Sequence, residues 1–142
     1  MTIWFALPEP GDIVWCRFPE DLPEPGPKPR PVLVLKSGMV GNDPTVLVAF
    51  GTSKRTSILY AGEFAIQPTD DPGYQRSGLS MATKFNLRKT VELPYNNEWF
   101  STAPAPSTPM SPKVGELHAT IMKRAQAALQ GLSPADLAKL KG

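Results

Sequence analysis

The chain has 142 residues, 41% of them hydrophobic and 20% charged, with a formal net charge of +2. That is enough for one globular domain with one core, and no apolar stretch approaches the ~20 residues of a membrane span. One cysteine, Cys16, and one histidine, His118, exclude an internal disulfide; they also argue against a zinc site and against catalysis centred on a Ser-His or Cys-His pair.

The first element follows Pro8, Pro10 and Gly11. "DIVWCRF", 12–18, alternates Ile13 and Trp15 against Val14, Cys16 and Phe18 and predicts a strand with two apolar faces. "PEDLPEPGPKP", 19–29, holds five prolines and a glycine and must be a long loop, a kind that is often functional in a small domain. The unbroken run Val32-Leu33-Val34-Leu35 predicts a second strand over 32–36, buried on both sides. Gly41-Asn42-Asp43-Pro44 signals a turn, and "TVLVAFGT", 45–52, a third strand. "SILYAGEFAI", 57–66, reads as a fourth with a bulge at Gly62. Residues 67–78 are turn-rich, and 79–87 and 89–94 give two more strands, with Leu87 and Val91 as core candidates.

The last third changes character. Residues 101–112 are rich in proline and read as a linker. Ser111 is the expected N-cap, with Pro112 at the first helical position. In the helix that follows, Val114, Leu117, Ile121, Met122, Ala125 and Leu129 recur at three- and four-residue steps, and Gly131 stops it. Ser133-Pro134-Ala135-Asp136 caps a second, short helix bearing Leu137 and Leu140. The expected organisation is a β-domain over 1–100, the linker over 101–112, and helices over 113–142 packed on the same domain. The fold class is mainly β with C-terminal helices, a small barrel or sandwich.

Charge is unevenly spread. No acid lies between Asp71 and Glu92, whereas Arg76, Lys84, Arg88 and Lys89 do; between Asp43 and Glu63 the only charges are Lys54 and Arg55. Taken alone, this fits ordinary solvated surface. Arg30 is more pointed, because Pro29 and Pro31 fix it at the mouth of a core strand. A guanidinium held there suits a phosphate and the added charge of a phosphorane, or else a surface ion pair with Glu24. "GTSKR", 51–55, sets hydroxyls and cations at a strand end, suited to a phosphate or to a polar turn. Among the aromatics, Tyr74 and Tyr95 sit in turn-like contexts and are the stacking candidates; Trp99-Phe100 reads as barrel closure. His118 reads as structural.

"GDIVWCRF" at 11–18, "RPVLVLK" at 30–36 and "GTSK" at 51–54, in this order, resemble the MazF/PemK family of toxins from type II toxin–antitoxin systems. In that family a Gly-Asp-hydrophobic strand opens the domain, Arg-Pro starts the second long strand, and a Thr-Thr or Thr-Ser pair ends the third. Residues 78–100 resemble a longer, PemK-like branch. The resemblance implies an SH3-like β-barrel (MazF/CcdB-like), a homodimer, and cytoplasmic cleavage of single-stranded RNA without metal or cofactor. The 2′-hydroxyl would attack the neighbouring phosphate, leaving a 2′,3′-cyclic phosphate. By match, Arg30 takes the place of the catalytic arginine and Thr52 that of the catalytic threonine. The RNA contacts expected with them are Lys28, Ser53, Lys54, Arg55, Tyr74, Lys84 and Arg88. An acidic, partly disordered antitoxin would cover the same cations.

The sequence departs from the family at Thr83-Lys84, where an acidic or amide residue is common, in the longer loop 19–29 and in the linker. Two other readings stand beside RNA cleavage: a CcdB-like toxin that poisons gyrase through its C-terminal helix, and a non-catalytic SH3-like interaction module.

Overall fold

The computed structural model describes residues 1–21, 23–102 and 111–141. The apolar runs form β1 (Asp12–Cys16), β2 (Arg30–Val40), β3 (Asp43–Thr52), β4 (Glu63–Ile66), β5 (Thr83–Pro94) and β6 (Lys113–Glu116). Three helices accompany them: α1 (Gly73–Ser77), α2 (Ala119–Gln130) and α3 (Pro134–Lys141). The strands make one antiparallel sheet in the order β4-β5-β3-β2-β1-β6. Mainly β with C-terminal helices is the fold observed. The ladder does not close, since β4 and β6 are its two edges.

Alternation feeds two cores. On one face Ile13, Leu33, Ala49 and Phe85 pack with Phe64 and Ile66 of β4, with Ile121 of α2 and with Leu132 and Leu140 near and in α3. On the other Val14, Cys16, Val32, Val34, Val46 and Val48 pack with Phe18, Tyr95, Trp99 and Phe100. A two-residue turn, Gly41-Asn42, joins β2 to β3 at the pair Val40↔Asp43. Gly41 takes φ 63°, a region that an L side chain resists. β2 therefore runs four residues, and β3 two, further into the turn than 32–36 and 45–52.

Residues 79–94 form one strand rather than two. The β3–β5 register shifts between Ala49 and Phe50, where Thr90 and Asn86 are the successive partners and residues 87–89 bulge out. The bulge reverses the alternation. Phe85 and Leu87 serve the helix-covered core, while Val91 and Leu93 serve the other. In 57–66 only Glu63–Ile66 is strand; Gly62 (φ 83°) precedes it, with its carbonyl accepting from Leu87 N–H at 2.8 Å.

The C-terminal third corrects the sequence reading. Ser111 and Pro112 do not start a helix. Lys113–Glu116 pairs with β1 as an edge strand, and Trp15 N–H donates to Pro112 O at 2.8 Å. The unpaired edge of β1 outweighs the helical pattern, and Gly115 fits that outcome: a Cβ there would lie 2.2 Å from Ser77 O. α2 begins at Ala119, and His118 is its cap, with Nδ1 accepting from Thr120 N–H at 3.2 Å. Of the predicted stripe, Ile121 is buried, Val114, Leu117 and Ala125 are partly so, and Met122 and Leu129 are exposed. Gly131 ends α2, and Ser133 Oγ caps α3 by accepting from Asp136 N–H at 3.2 Å. Most of the predicted linker, 103–110, lies outside the described residues. Arg124 ties α2 to the sheet through two 2.7 Å bonds to Asp70 and one of 3.1 Å to Ala65 O.

Candidate active site

β2 begins where β3 ends. The antiparallel register that pairs Leu33 with Ala49, continued three residues toward these strand ends, sets Arg30 level with Thr52, and both line one cleft. Alternation sets both side chains on one face, Arg30 in line with Val32 and Val34, Thr52 in line with Val48 and Phe50. The guanidinium of Arg30 lies over the Phe50 ring, with Cζ 5.9 Å from its centroid.

Local sequence fixes this junction. Loop 19–29 is tied back to β1 by Gly26, whose N–H donates to Arg17 O at 3.0 Å; a Cβ on Gly26 would stand 2.2 Å from Phe18 O. Pro29 and Pro31 then hold Arg30 in extended geometry. Gly51 lets the two strand ends approach, because a Cβ there would lie 2.2 Å from Pro31 O and 2.9 Å from the Phe85 ring.

Beside the junction is a cleft of about 340 Å³. Arg30 and its two prolines, Gly51, Thr52 and Ser53 line one side, and residues 78–81 with Thr83, Trp15 and Val114 line the rest. The Thr52 hydroxyl oxygen accepts from Lys54 N–H at 3.2 Å, and among the described residues its proton has no acceptor, which leaves it available to a ligand. Thr83 spends its proton on Met81 O at 3.0 Å. Lys28, Ser53, Lys54 and Arg55 are exposed, and of these Ser53 lines the cleft. Among the described residues Arg30 has no carboxylate within ion-pair distance, so the pairing with Glu24 is not made.

Other expected contacts go elsewhere. Lys84 is buried, donating to Ile58 O at 2.8 Å and Glu63 Oε1 at 3.2 Å and facing the Tyr60 ring at 5.6 Å. The register sets Lys84 across from Thr52, but its ammonium is turned to β4 and the 58–63 segment, so it does not line the cleft. Arg88 pairs with Asp136 of α3 at 3.3 Å, drawn there by the bulge in β5. Tyr74, in α1, is half-buried against the helix-covered core. Tyr95 is 1% exposed, edge-on to Phe100, and burial pushes its phenol pKa well up; it is core, not a stacking platform.

Several lining residues, among them Trp15, Ser80 and Met81, went unnoticed in the sequence as site residues. Trp15 read as core, and Ser80 and Met81 read as strand. Gly78 carried the missing signal: it ends α1 in the left-handed conformation (φ 70°) and turns 79–82 across the cleft. Among the described residues no three His, Cys, Asp or Glu side chains gather as a metal site would need, and no helix is long and apolar enough to cross a membrane.

Residues 9–132 match the family described as PemK-like, MazF-like toxin of type II toxin-antitoxin system. No curated protein matches the chain.

Proposed function

We propose that this chain, which belongs to the PemK-like, MazF-like toxins of type II toxin–antitoxin systems, cuts single-stranded RNA at the Arg30–Thr52 junction. Members of the family are usually endoribonucleases, and membership implies RNA as the substrate class and an antitoxin as a partner. The observation that carries the reading for this chain is the register that sets Arg30 level with Thr52, with no carboxylate on the guanidinium among the described residues.

The reaction is an internal transfer. The ribose 2′-oxygen forms a bond to the adjacent phosphorus and the bond from phosphorus to the 5′-oxygen breaks. The 2′-hydroxyl loses its proton and the departing oxygen gains one, so the products are a 2′,3′-cyclic phosphate and a 5′-hydroxyl. Extra negative charge gathers on the non-bridging oxygens as the phosphorane forms. Arg30 is the permanent cation for that charge, and a donor fixed before reaction incurs little reorganisation cost. The free proton of Thr52 is a second donor to the same oxygens. His118 takes no part, because its ring is engaged at the start of α2.

The test is cleavage of a mixed RNA pool in EDTA with the cut ends mapped. Cyclic-phosphate ends are expected, and Arg30→Ala should lower the rate ~10²-fold or more while leaving the thermal melt unchanged. Activity that disappears in EDTA and returns with a divalent ion, or an Arg30→Ala variant that cuts normally, refutes the reading.

A further inference from the structure

The Phe50 ring carries a second cation. Lys89 Nζ lies 4.1 Å from the ring centroid and 5.8 Å from that of Phe18, while Arg30 Cζ lies 5.9 Å from the Phe50 ring. Three adjacent strands supply the row: Arg30 from β2, Phe50 from β3 and Lys89 from β5. The bulge at 87–89 makes the arrangement possible. By reversing the alternation it turns Lys89 onto the face of Val91 and Leu93, beside Phe50, and sends Arg88 the other way to Asp136.

Their neighbours differ in pairing. Lys84 and Arg88 each have a carboxylate partner, whereas among the described residues neither Arg30 nor Lys89 has one within 4.0 Å. Two like charges drawn to one ring repel each other. The ring face offsets part of that cost, and an anion lying along the row would offset more. The ring also confines the lysine stem before any ligand arrives, which lowers the entropy lost on binding. An ammonium seated this way still has donors directed away from the ring.

We propose that Lys89 binds an RNA backbone phosphate neighbouring the one held by Arg30, with Phe50 as the wall between the two. Lys89 is then a positioning residue: it sets where the strand lies and takes no part in bond making. This rests on the reading of the cleft as an RNA site.

The experiment uses Lys89→Met, which keeps the stem on the rings and removes the charge, and Lys89→Arg, which restores the charge. Binding to single-stranded oligonucleotides that carry 2′-O-methyl groups, and so cannot be cut, is followed by fluorescence anisotropy across a range of salt. Lys89→Met should weaken binding about tenfold at low salt, equally for oligonucleotides of different sequence. The slope of log affinity against log salt should fall by about 0.7, the loss of one single-strand phosphate contact. Lys89→Arg should recover both, and in cleavage assays the deficit of Lys89→Met should fall on KM rather than kcat. Wild-type protein that binds RNA with the same affinity and slope as Lys89→Met overturns this inference alone. Wild-type protein that binds no RNA overturns the RNA reading of the cleft together with it.

Discussion

Replacing Glu63 by leucine should unfold the chain far more readily than replacing Glu63 and Lys84 together. The side chains of Lys84 and Glu63 are 7% and 9% exposed, so solvent screens their contact little. In Glu63→Leu the ammonium keeps the Ile58 carbonyl at 2.8 Å and the Tyr60 ring but loses its only carboxylate among the described residues. Leaving one buried partner uncompensated costs about 3–5 kcal/mol. For a chain of this length that is roughly 10–15 °C in Tm. Glu63→Leu/Lys84→Met removes both charges at similar volume. It forfeits the bond to Ile58 O and the one that Glu63 Oε1 accepts from Tyr60 N–H at 2.8 Å, so it should settle about 2 kcal/mol below wild type. Urea unfolding followed by circular dichroism measures all three proteins. The reasoning fails if the single variant loses less than about 1 kcal/mol, or if the double variant is no more stable than the single.

Two further outcomes follow from other contacts. The Arg124 guanidinium, with help from Gln67 N–H, holds the Asp70 carboxyl below the usual carboxylate range against the opposing effect of burial. A lowered folded pKa means stability that is present above the unfolded value of about 3.9 and is lost as pH falls through the folded value. Asp70→Asn should therefore flatten the fall in urea midpoint between about pH 5 and pH 2; a fall as steep as that of wild type would sink this account. Cys16 is fully buried, and burial pushes its thiol pKa far up, so iodoacetamide should label it only after denaturant is added. Labelling of the native protein at the rate of a free thiol would refute that.

Much of the architecture was legible because local rules and tertiary packing agreed. Apolar runs gave β1, β2 and β3, Gly41-Asn42 gave the hairpin, and Gly131 and Ser133 marked the helix boundaries. Arg30 stood out because prolines on both sides specify a backbone whatever surrounds it. Where local rules allowed two outcomes, the sequence reading failed. Val114, Leu117 and Ile121 suit a helical stripe, but the open edge of β1 took Lys113–Glu116 as a strand. The segments 79–87 and 89–94 look like two strands because alternation reverses between them, yet the reversal is a bulge within one.

By itself the sequence determined a β-rich domain, where its first strands and turns lie, and that Arg30 and the Thr52-Ser53 pair stand at strand ends, since spacing and proline geometry act within a few residues. Only the tertiary structure decided which cations remain free. Lys84, Arg88 and Lys89 lie within six positions and look alike in sequence. Pairing with β4 buried the first on Glu63, the bulge turned the second to Asp136, and the same bulge set the third on Phe50 beside Arg30. A charge's partner depends on which face its strand presents and what packs there, and in β5 both were fixed by residues distant in sequence.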